Sequence, residues 1–463
     1  MRLSALFVAV FISQILFAQV TEKWTLEKCI DYSFKNNFTL RQANLATKVS
    51  GNQYTQSELN VLPSINASAN YNFNFGNSLN PVTYTFSNGN SQTSQLGLQG
   101  NLTLFNGLQQ INTIKKSKYD LLGSQYDYEN AKSNMALNIA SAYLQILLNR
   151  EIVQVAEEQR KITAEQKETV KKKFDAGLLP ETSYLEVEAQ LARDEANVVN
   201  SQGVYDLSVE SLKQMLQLPV EQSFDVDVPQ VNTDNMSGIT DVNSIGVYNY
   251  AVKNQPVVKS AEAKWKSSQM AEKVAYGFIT PTLTLGYNLF SGYTNAPNEN
   301  LHLTTQATPP YVNFNTISSP PDAFFTQVKN NLKQFVALGI TVPIFNKGQI
   351  FLNISSAKLQ QQIKELDLEN TKAVLMGNIE QAYTNAKVAA ETYLANKKSY
   401  ESSQKSYFSL QKRFDAGLVT NFDLQQSKNS VATAESDMAR AKYTYVFRVK
   451  ILDFYQGKAL TLN

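Results

Sequence analysis

Cysteine and histidine are almost absent from this chain: Cys29 is its one cysteine and His302 its one histidine. A lone thiol cannot close an internal disulfide, and Cys29 reads as a small apolar residue on an early helix. With one imidazole, no P-loop and no paired catalytic constellation, hydrolytic and metal-dependent schemes lack their parts, so neither enzyme activity, cofactor nor metal is expected. Charge of one sign is also lacking, because Lys+Arg 42 stand against Asp+Glu 40, which argues against nucleic acid as a partner. Beyond the first eighteen residues no stretch of about 20 apolar residues occurs, so no membrane-spanning helix is expected. A β-barrel remains open to such a chain.

Residues 1–18, MRLSALFVAVFISQILFA, combine Arg2, an apolar run and Ala18, and read as a secretory signal peptide. The run is short for a bilayer anchor. No Cys follows the expected cleavage region for lipid attachment.

Proline is missing from two long segments, Leu108 to Phe174 and Gly348 to Phe414, each of 67 residues. As helices each would run for about 100 Å. Counting back in sevens from Phe414 meets Tyr407, Tyr400, Tyr393, Ala386 and Ile379; from Phe174 it meets Lys167, Arg160, Val153, Ile146 and Ile139. Such ladders mark helices that supercoil against neighbours. Both segments end in nearly the same string, KKFDAGL at Lys172 to Leu178 and KRFDAGL at Lys412 to Leu418. Gly177 and Gly417 supply the left-handed residue that stops a helix; Pro180 suits a following first turn and Thr420 a side-chain N-cap. Each half therefore holds a long helix, a tight tip and a returning helix, and the chain reads as an internal duplication.

The segment Trp24 to Asn37 predicts an amphipathic helix with Leu26, Ile30 and Phe34 on one face. Its counterpart is Val247 to Gln255, and Phe38 and Pro256 open second helical runs. Leu62 to Gly76 alternates Ile65, Ala67, Ala69, Tyr71, Phe73 and Phe75 against Asn and Ser, a strand with one apolar and one wet face. Further strands are expected at Gln95 to Phe105, with Leu96, Leu98, Leu102 and Leu104 on the apolar face, at Thr282 to Phe290 and at Val336 to Phe345. Their uncharged polar faces and aromatic ends suit membrane strands better than a soluble sheet. Phe105-Asn106 recurs as Phe345-Asn346 at an offset of 240 rather than 218, so the second half carries 22 extra residues. They fall in Ser291 to Asn331, which holds five prolines and His302 and reads as a long surface loop. Residues 219–242 read as a polar belt, joined by the tail at 457–463.

Four strands cannot close a barrel, and an open edge in lipid leaves backbone groups unpaired at several kcal/mol each. Subunits must therefore share one; eight strands give a filled interior and twelve an aqueous lumen.

The WTLEKCIDYSFKNN segment, the Pro-led first strand of each half, Phe105-Asn106-Gly107, Pro343-Ile344-Phe345-Asn346 and the two FDAGL tips together resemble the TolC-type outer membrane efflux proteins. The resemblance covers essentially the whole chain after the signal. It implies a mainly α fold: a homotrimer whose twelve-stranded β-barrel in the outer membrane lipid of a Gram-negative bacterium continues as a periplasmic α-helical barrel. It also implies a periplasmic adaptor and an inner-membrane transporter as partners. On that plan residues 19–61 and 243–279 are the first helices of each repeat, 62–106 and 280–345 the membrane strands, and 107–218 and 346–456 the periplasmic hairpins. The function implied is a passive exit duct for small molecules; type I protein secretion is the alternative, and a structural coiled-coil surface protein is the rival from another class. Phe174, Asp175, Gly177, Leu178, Phe414, Asp415, Gly417 and Leu418 are the adaptor-docking candidates. Asp423 stands where the family carries a constriction aspartate, with Gln426 one turn on; the alternative is that Asp423 caps a helix with Thr420. The family's best-studied member latches its periplasmic end with Tyr, Arg and Asp. The aligned positions here hold Phe414, Val419 and Ser183 or Tyr184, so closure by other contacts is implied.

Overall fold

The computed structural model describes residues 23–79, 86–88, 90–229, 243–304 and 313–462, so the expected signal peptide lies outside the described residues. In chain order the elements are α1 (Leu26–Asn36), α2 (Phe38–Leu59), β1 (Ser64–Asn74), β2 (Asn77–Leu79), β3 (Phe86–Asn88), β4 (Ser91–Phe105), α3 (Gln109–Asp175) and α4 (Glu181–Leu216). Then come α5 (Ser244–Asn254), α6 (Pro256–Gly277), β5 (Thr282–Thr294), β6 (Asn298–Thr304), β7 (Asn313–Ser319), α7 (Phe324–Asn330), β8 (Lys333–Thr341), α8 (Gln349–Asp415) and α9 (Asn421–Tyr455). The helices α3 and α8 each have 67 residues, α2 and α6 each 22, and α1 and α5 each 11. The chain divides into two compact units, residues 1–49, 121–264 and 365–463 forming one and 50–120 and 265–364 the other.

The first unit is helical. Its core joins Leu26, Cys29 and Ile30 of α1 to Ile139, Tyr143 and Leu147 of α3, Leu212 and Leu216 of α4, Ala386 and Tyr393 of α8, and Tyr445 and Leu452 of α9. Burial pushes the Cys29 thiol up to about 12, so it is an inert core residue at neutral pH. Of the expected belt, residues 219–229 are described, and they pack against the helical core. Trp24 pairs with Val226 in a parallel bridge, and the Tyr143 hydroxyl lies 3.0 Å from the Trp24 carbonyl and 2.7 Å from that of Asp227. Val226 and the tail residue Leu462 are both buried in the same core.

In α8 the expected ladder is present, with Ile379, Ala386, Tyr393 and Phe414 buried. In α3 it needs correction towards the tip. The buried sevenfold set there is Asn149, Ala156, Thr163 and Val170, four residues earlier than the ladder counted from Phe174. Lys167 and Arg160 instead make ion pairs with Glu188 at 2.8 Å and Glu157 at 3.0 Å. A heptad stripe has two rows, and near the tip the neighbours cover the other one.

The second unit carries a four-stranded antiparallel sheet in the order β1-β4-β5-β8. Register places Ala67 beside Leu98, Leu98 beside Leu289, Leu102 beside Leu285, and Leu285 beside Leu338, so one face is apolar across all four strands. The opposite face carries Asn66, Gln99, Asn101, Asn288 and Thr284. A bulge between Thr103 and Phe105 breaks the expected alternation, so Phe105 rather than Leu104 pairs with Leu283. The fourth strand ends at Thr341 rather than running to Phe345, because Pro343 has no N–H to give a ladder.

The supposed loop from Ser291 to Asn331 is the main correction. Here β5 continues to Thr294, β6 and β7 pair as a hairpin that includes His302, and α7 follows. Prolines punctuate these short elements instead of dissolving them; Pro297 and Pro320 fall between them.

The turns into the two long helices each use two consecutive left-handed residues, Gly107 and Leu108 before α3 and Lys347 and Gly348 before α8. A Cβ on Gly107 would lie 2.6 Å from the Gly277 carbonyl, which explains that glycine by contact as well as by φ. Asn106 and Asn346 accept from the backbone of Gln110 and Ile350 at 3.4 and 3.5 Å, so the repeated Phe-Asn pair marks how both long helices begin.

Candidate functional site

The tips are built by their sequence. Leu178 N–H donates to Lys173 O at 2.8 Å and Gly177 N–H to Phe174 O at 2.8 Å; Leu418 and Gly417 repeat this with Arg413 and Phe414 at 2.9 and 3.0 Å. This is the Schellman arrangement, and it needs the positive φ of Gly177 (73°) and Gly417 (77°). A Cβ at either glycine would meet nothing within 4 Å, so backbone conformation alone selects glycine there. Lys172, Lys173, Lys412 and Arg413 oppose the negative ends of α3 and α8. Pro180 serves as the N-cap of α4, one position earlier than expected, and Thr420 caps α9.

The latch-aligned residues form an apolar cluster instead. Phe414, Val170, Val187 and Leu424 are buried together, with Tyr184, Tyr407, Leu410 and Val419 packed around them. Phe174 stacks on Tyr184 with centroids 6.2 Å apart, and Lys173 Nζ sits 4.7 Å above the Phe414 ring. Of the tip residues, Leu178 and Leu418 are 73% and 70% exposed, whereas Phe414 belongs to the tip's own core.

Asp423 and Thr420 make a full capping box. Asp423 N–H donates to Thr420 Oγ1 at 3.2 Å, while Thr420 N–H and O–H reach Asp423 Oδ2 at 3.1 and 2.6 Å. The Thr420 side-chain and backbone hydrogen bonds hold the Asp423 carboxyl below its usual range. Asp423 and Gln426 line one groove of about 490 Å³ with Arg413 and Ser430. A larger groove of about 950 Å³ between α4 and α9 has Arg193, Asn421, Gln425 and Asp437 on its walls.

Above the tips lies a polar knot that sequence reasoning missed. Lys428, only 2% exposed, donates to Gln159 O at 3.0 Å, to Asp194 Oδ2 at 3.1 Å and to Thr163 Oγ1. Asp194 also accepts from Thr163 and from Gln190 at 2.7 Å. Burial pushes the Lys428 ammonium down, against the pull of Asp194. The available signal was a lysine in the apolar spacing between Leu424 and Val431.

Long paired hairpins with turned tips, together with a sheet that is apolar on one face and largely polar on the other, fit a channel-forming membrane protein. Residues 30–217 and 247–457 match the profile of the family described as "Outer membrane efflux protein". The chain belongs to that family, a family of outer membrane channels. It is 19% identical over 397 residues to the alkaline protease secretion protein AprF of Pseudomonas aeruginosa, covering 84% of this chain and 76% of the relative. Outer membrane protein TolC of Salmonella enteritidis is 19% identical over 458 residues, covering 96% and 84%. The crystal structure of the Campylobacter jejuni CmeC outer membrane channel shares the fold with a TM-score of 0.73 at 19% identity, covering 94% of this chain and 87% of that one.

Proposed function

We propose that the chain is the outer membrane exit duct of a tripartite efflux system, passively exporting small molecules handed to it by an inner-membrane transporter through a periplasmic adaptor. It resides in the outer membrane of a Gram-negative bacterium, with a large periplasmic portion. The observation that carries this reading is the four-stranded sheet with unlike faces, whose outer strands β1 and β8 have no further partner among the described residues. Three copies closing edge to edge give twelve strands and an aqueous lumen lined by Asn, Gln, Ser and Thr. The equal helix lengths support reading the chain as a duplication, so that each copy supplies two similar staves: hairpins at 107–218 and 346–456 in the periplasm, strands at 62–106 and 280–345 in the membrane. The tips, through Leu178 and Leu418, are the docking points for the adaptor, and Asp423 with Gln426 forms a threefold polar ring at the narrow end.

Type I protein secretion is a second reading, favoured by the similarity to the alkaline protease secretion protein. The test is mass by light scattering of the detergent-solubilised particle, followed by tip crosslinking in cells. A trimer that captures an adaptor from a drug or metal pump supports efflux, and an adaptor from a protein exporter supports secretion. A monodisperse particle with the mass of a single chain defeats both.

A further inference from the structure

The extra segment of the second half holds α7 against the apolar face of the sheet. Gln327 clamps it: its side-chain amide donates to the carbonyls of Thr294 and Asp322, both at 2.9 Å, and its Oε1 accepts Thr294 N–H at 3.0 Å. Ser291 Oγ donates to Val328 O at 2.6 Å and Asn331 Nδ2 to Gly292 O at 2.9 Å. The rings of Tyr293 and Phe324 pack with centroids 5.2 Å apart. Ser291 and Tyr293 belong to the face that also carries Leu289, Leu96 and Leu98, which fixes the side on which α7 lies.

The inner stripe of α7 is thus Phe324, Gln327 and Val328, continued by Asn331 at its C-cap. Its outer stripe carries Phe325, 82% exposed, and Lys329, also exposed, four residues apart and hence on one face. Between α7 and the sheet an apolar cleft of about 460 Å³ remains, with Ala67, Ala69, Leu96 and Leu289 as its floor and Val328 and Leu332 as its wall. The two alanines leave it open where larger residues would close it. The floor is continuous with Val336, Leu338 and Ile340, which are exposed on the same face.

We propose that α7 is a membrane-boundary helix and that its cleft holds one acyl chain of a phospholipid whose anionic phosphate meets Lys329. A methyl-lined slot takes a hydrocarbon chain, an exposed ring beside a cation suits the depth where chain meets headgroup, and a lysine stem can lie along lipid while its ammonium reaches phosphate. The inference rests on the membrane reading of the sheet.

The test uses the full chain reconstituted in phosphatidylglycerol vesicles, with nitroxides at F325C, K329C and V336C, the native Cys29 being buried. Relaxation by oxygen and by a nickel chelate reports depth. The expected result is a ratio of oxygen to nickel accessibility at least fivefold higher at 325 than at 329, and high at 336. High values at 336 with a water-like value at 325 overturn this inference alone, while water-like values at both overturn the membrane reading with it. A label at 325 shielded from both reagents means that protein covers the helix, and the lipid assignment fails. Native mass spectrometry tests the cleft: L332W, which fills it from the segment following α7, and A69L, which fills it from the sheet, should each retain at least threefold less phosphatidylglycerol than the unsubstituted protein. Equal retention in a folded variant of either kind overturns the acyl-chain site.

Discussion

Lys428 of α9 and Asp194 of α4 meet at 3.1 Å, a charge pair that ties the second hairpin to the first. Lys428 also reaches Gln159 and Thr163 of α3, so one ammonium holds three helices. Removing one partner of such a pair leaves an uncompensated charge, at a cost of about 3–5 kcal/mol. D194A is therefore expected to lower the thermal midpoint strongly, whereas D194L combined with K428M, an apolar replacement of both groups, should restore most of it. Melting followed by circular dichroism checks this, and equal midpoints for D194A and the unsubstituted protein would refute it.

The exposed leucines at the tips carry a separate expectation. Leu178 and Leu418 follow the glycine turns and contribute little to the tip core, in contrast with Phe414. L178D with L418D should leave the particle's mass and melting unchanged while reducing adaptor crosslinking about tenfold, equivalent to about 1.4 kcal/mol. F414D should instead unravel the tip itself, seen as protease sensitivity confined to residues 170–190 and 407–424. Undiminished crosslinking in the double leucine variant would place docking elsewhere.

Period, proline spacing and glycine position made the helices, tips and four sheet strands legible, because each is a local instruction: Gly177 and Gly417 can be read without knowing what surrounds them. Partnership was not legible. The local sequence around Lys428 does not name its acceptors, because they lie 234 and more residues away. The helix α7 and the β6/β7 hairpin were hidden by prolines and by their shortness, since three turns of alternation or fewer give periodicity little to work with. The row of α3 that faces inward depends on its neighbours, which is why counting from Phe174 chose the wrong one near the tip.

Glu435 on α9 offers a pH test. Burial first, and then the nearby Glu158, raise its carboxyl above the ordinary 4.5. The folded state binds this proton more tightly than the unfolded state, so ionising the group costs stability. That cost is complete above the raised folded value and vanishes below the unfolded one. E435Q keeps an acceptor for the Tyr400 hydroxyl, 3.5 Å away, and removes the charge. Its melting midpoint should exceed that of the unsubstituted protein at pH 7, with the difference shrinking as the pH falls towards 4. A difference that grows on acidification would contradict the assignment.

Asp423 is asked to do two things, and its geometry allows them to be separated. As the capping residue it accepts from Thr420, which lowers its pKa; the cap is complete at neutral pH and is lost as the pH falls below 3.8, through the lowered folded value. As one member of a threefold ring it would lend the pore cation preference. D423N removes the charge and leaves a carbonyl oxygen to accept from Thr420, while T420A removes the cap's hydroxyl and leaves the charge. Single-channel recordings should therefore show cation preference reduced severalfold in D423N and intact in T420A, whereas melting should show the reverse order of damage. The hydroxyl also sets where selectivity titrates. Without it the carboxyl loses the bond that favours its charged form, so the pH at which cation preference fades should move upward in T420A. If D423N leaves ion selectivity unchanged, the ring is refuted and Asp423 is a cap alone.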